Sequence, residues 1–70
     1  MKSLIYIAIF FTQILFAQSK ADAKKLFDQG NDLYQKEQFE QAAAKYEQVL
    51  KEGLVSDEVY FNLGNTYYKL

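Results

Sequence analysis

Residues 23–36 of this chain reappear, in altered form, at residues 57–70. Phe27 falls on Phe61, Gly30 on Gly64, Asn31 on Asn65 and Tyr34 on Tyr68, a period of 34 residues. Leu26 and Leu33 fall on Tyr60 and Tyr67, so bulky positions stay bulky. A period of this length over a helical pattern constrains the fold more than any other feature here. It belongs to arrays of stacked helix pairs, in which each unit buries its apolar face on its neighbours. Such arrays build binding surfaces more often than catalytic centres.

The apolar residues within the period follow helical spacing. Ala23, Leu26, Phe27, Gly30, Leu33 and Tyr34 form one stripe, and Phe39, Ala42, Ala43, Tyr46, Val49 and Leu50 form a second with the same offsets. Offsets of three and four place these side chains on one helix face. Only Lys36, Glu37 and Gln38 separate the stripes, which predicts an antiparallel helix pair. Gly53 suits the left-handed position that closes a helix, and Leu54 and Val55 are placed to fold back onto the helix end. Ser19 and Ser56 are expected N-caps, and Asp57 and Glu58 favour the start of a third helix through its dipole. The expectation is an all-α chain with helices near Lys20–Lys36, Phe39–Glu52 and Asp57–Leu70. Gly30 and Gly64 each cost about 1 kcal/mol of helix propensity relative to alanine. Close approach of a paired helix is the expected compensation.

The first 17 residues read differently. Lys2 is followed by the apolar run Leu4–Phe16, interrupted only by Thr12 and Gln13, and Ala17 is a small residue at a cleavage position. A helix over that run rises about 20 Å, short of the roughly 30 Å hydrocarbon core. A cleaved secretory signal at 1–17 is the expectation, and the protein is then exported to the periplasm or cell envelope. An uncleaved membrane anchor and an N-terminal core helix are the alternatives. The membrane enters only through such an anchor or through regions beyond residue 70.

Composition removes several function classes. Residues 18–70 carry seven lysines, nine acidic residues and no arginine, with the charges mixed along the helices. No basic stripe exists for nucleic acid or for an anionic membrane surface. Histidine, cysteine, tryptophan and proline are absent. Without histidine or cysteine there is no Ser-His or Cys-His nucleophile and no imidazole or thiolate metal site. The acidic pair Asp28/Asp32 reads as a solvated face. The expectation is a non-enzyme with no cofactor and no metal.

These residues carry a family resemblance. Residues 23–56 resemble a tetratricopeptide repeat, and residues 57–70 resemble the first helix of a second, truncated one. Leu26, Gly30, Leu33, Ala42 and Tyr46 fill the marker positions of the first repeat, and Tyr60, Leu63, Gly64 and Tyr67 those of the second. Gln29, Val49 and Leu54 depart from the usual leucine, alanine and proline, which weakens the expected packing of the first repeat. Signal, repeat and the stretch Leu63-Gly64-Asn65-Thr66-Tyr67-Tyr68-Lys69-Leu70 are also similar to the N-terminal part of bacterial aerotolerance-operon tetratricopeptide proteins.

The resemblance implies a right-handed α-solenoid fragment of about one and a half repeats. Its first helices would line a groove for a protein or peptide partner. Phe27, Asn31, Tyr34, Phe61, Asn65 and Tyr68 are the positions that would face it. The asparagines would bond a peptide backbone and the aromatics would add apolar contact. Phe27 and Phe61 stand where the carboxylate-clamp variety carries lysine, so recognition of a C-terminal carboxylate is not expected. The plainer reading makes the aromatics repeat-packing residues and the asparagines tolerated polar positions. The functional expectation is an interaction scaffold of the envelope. The alternative is a spacer or cap for activity located beyond residue 70. The aromatics of the third helix, if uncovered, favour self-association.

Overall fold

The computed structural model describes residues 20–70. The apolar run Leu4–Phe16, the cleavage position after Ala17 and the Ser19 cap lie outside them. Among the described residues the chain is all-helical: α1 spans 20–35, α2 spans Phe39–Lys51 and α3 spans Asp57–Lys69. The bounds of α2 and α3 and the end of α1 agree with the expected helices to within a residue.

Both turns close by the same device. At the end of α1, Glu37 N–H donates to the Tyr34 carbonyl at 3.0 Å and Gln38 N–H to the Leu33 carbonyl at 2.9 Å. At the end of α2, Gly53 N–H donates to the Leu50 carbonyl at 3.0 Å and Leu54 N–H to the Val49 carbonyl at 3.3 Å. Each is a Schellman closure, satisfying carbonyls the helix leaves orphaned. It requires a left-handed residue, supplied by Gly53 (φ 95°) and, less comfortably, by Glu37 (φ 61°). The chain then enters α3 through Ser56, whose Oγ accepts from the Val59 N–H at 3.3 Å. Asp57 and Glu58 follow in the first turn and Lys69 sits in the last, matching the helix dipole at both ends.

Packing centres on one tyrosine. Tyr46 is 1% exposed and forms a buried cluster with Ala42, Ala43 and Leu63, against which Phe27, Leu33, Tyr34 and Leu50 pack. The Phe27 and Tyr46 rings lie 5.8 Å apart, and nearer the turn Tyr34 meets Phe39 edge-on at 5.3 Å. A step back along α1 is therefore a step forward along α2, which makes the pair antiparallel. Gly30 permits the approach: a Cβ built there would stand 2.7 Å from Tyr46 Cε1 and 2.9 Å from Cδ1. The compensation expected for Gly30 is thus present, whereas around Gly64 nothing lies within 4 Å. Val49 is fully buried despite standing where alanine was expected.

The third helix packs on α2 through Leu63 and through a hydrogen bond from the Tyr67 hydroxyl to the Glu47 carboxylate. It reaches α1 through Asn62. Its buried Thr66 donates its hydroxyl to the Asn62 carbonyl one turn back at 2.6 Å, so no polar group is stranded in the interface. Much of α3 remains open to solvent, with Tyr60, Phe61, Tyr67 and Tyr68 all exposed.

Candidate binding cleft

A cleft of about 300 Å³ opens where the three helices meet, lined by Asn31, Tyr34, Gln35, Tyr46, Asn62 and Asn65. Its position follows from helical spacing. Asn31 and Gln35 are one turn apart on α1, and Asn62 and Asn65 are one turn apart on α3, so each pair shares a face. Tyr46 rises between them from α2 with its ring wedged against Gly30 and Phe27.

The floor of the cleft is a shared acceptor. Asn31 Oδ1 accepts from the Tyr46 hydroxyl at 2.6 Å and from Asn62 Nδ2 at 2.9 Å. One residue from each helix therefore meets at a single oxygen. Burial pushes the Tyr46 phenol above its ordinary value of 10.0, with the nearby Asn62 amide pulling it partly back and the neighbouring Tyr34 adding to the rise. The lining contains no Asp, Glu, Lys, Arg or His. What it offers is a set of amides and two phenols, a neutral surface able to donate and accept hydrogen bonds. Among the described residues, no group of acidic, histidine or cysteine side chains is placed to hold a metal, and no helix is long and apolar enough to cross a membrane.

Of the six residues expected to face a groove, Asn31, Tyr34 and Asn65 line this cleft. Phe27 is half-buried against Tyr46. Phe61 (67% exposed) and Tyr68 (86%) stand in solvent and contribute nothing to the lining. Asn31 differs from the expectation of a free polar position, because its oxygen is already engaged by two donors. Gln35, Tyr46 and Asn62 were not anticipated as cleft residues. Gln35 was legible as the position one turn beyond Asn31. Asn62 had no such signal, since its role depends on how α3 is seated against α1. The chain matches no known family model, no curated protein and no solved structure.

Proposed function

We propose that this chain is a tetratricopeptide-type repeat segment of an exported protein, and that it acts as a non-catalytic interaction scaffold in the cell envelope. The groove it offers runs along the amide-lined cleft. An extended peptide there would find donors and acceptors in Asn31, Gln35, Asn62 and Asn65, with Tyr34 giving apolar contact. The observation that carries this reading is the cleft itself: polar, uncharged groups from α1, α2 and α3 converge on one open concavity. A surface of that chemistry suits the peptide backbone, which is neutral and rich in both donors and acceptors. The repeat reading is supported by the 34-residue period and by the seating of Tyr46 on Gly30.

The test is affinity capture from a cell-envelope extract with the full chain, beside Gln35→Ala and Asn65→Ala. Both are exposed residues without a structural hydrogen bond, so helicity is expected to persist while recovery of a specific partner falls. Asn31→Ala is unsuitable, because it also unpairs Tyr46 and Asn62. Partners retained in full by both variants would remove the groove.

The spacer reading then takes over. One observation favours it: Asn31, Tyr46 and Asn62 bond one another, as groups in a structural network do. Export is tested separately by the N-terminal residue of the protein from its native host. Gln18 at that terminus supports it, and a cytosolic protein retaining Met1–Ala17 opposes it.

A further inference from the structure

We draw no further inference here: the strongest candidate, the exposed aromatic surface of α3 formed by Tyr60, Phe61, Tyr67 and Tyr68, is an unpartnered apolar face, and nothing in the structure shows what covers it.

Discussion

Gly30 and Gly64 show how one residue type, repeated at one period, comes to serve different ends. At Gly30 an added methyl meets the buried Tyr46 ring at 2.7 Å, and that ring is held by Phe27 and by its bond to Asn31. At Gly64 the same methyl meets nothing. Gly30→Ala should therefore lose stability by about 1–2 kcal/mol after its gain in helix propensity, whereas Gly64→Ala should gain up to about 1 kcal/mol. Chemical denaturation of the two variants side by side checks the opposite signs. Tyr46 supports a second prediction. Its folded pKa lies above the ordinary 10.0 because of burial, so the unfolded state loses the proton first as pH rises. The contribution of Tyr46 is complete below about pH 10 and declines above it. Tyr46→Phe should cost about 1 kcal/mol at neutral pH and should flatten the alkaline loss of stability relative to wild type. Equal alkaline slopes for the two proteins would contradict this.

At the scale of elements, the helices were legible because the boundary signals at the close of α2 and the start of α3 agreed with the stripes. Ser56 caps α3 as expected and Gly53 closes α2 in the left-handed region. The close of α1 was less legible, because Glu37 takes the left-handed position that glycine usually fills. Glutamate gives no local signal for that geometry; the two hydrogen bonds made by Glu37 and Gln38 impose it. A non-glycine residue there costs about 1–2 kcal/mol, so Glu37→Gly should stabilise the pair by about 1 kcal/mol once the added freedom of the unfolded chain is counted. Thermal melting of the variant measures it, and a lowered midpoint would show that the Glu37 side chain has a role not visible in its contacts. The cleft was only partly legible. Residues that meet along one helix, such as Asn31 and Gln35, follow from spacing. The meeting of Asn31 with Asn62 depends on the seating of α3, which no local pattern fixes.

At the scale of the whole molecule, apolar surface is distributed unevenly. The α1–α2 pair closes over Tyr46, while α3 buries Val59, Leu63 and Thr66 and leaves Tyr60, Phe61, Tyr67 and Tyr68 in water. An apolar patch of that kind invites association. Residues 18–70 alone should melt with a midpoint that depends on concentration, and sedimentation should show species heavier than the monomer. A sharp transition of a monomer, unchanged across a tenfold range of concentration, would show the three helices to be self-sufficient. The arrangement at Asn31 bears on selectivity. A carbonyl oxygen has two lone pairs, and Tyr46 and Asn62 take both. Turned over, the amide would set its NH2 against the Asn62 NH2, whereas the Tyr46 hydroxyl could accept from it. With its oxygen engaged in this way, Asn31 meets a visitor with its NH2. The group suited to that spot is an acceptor, such as a backbone carbonyl.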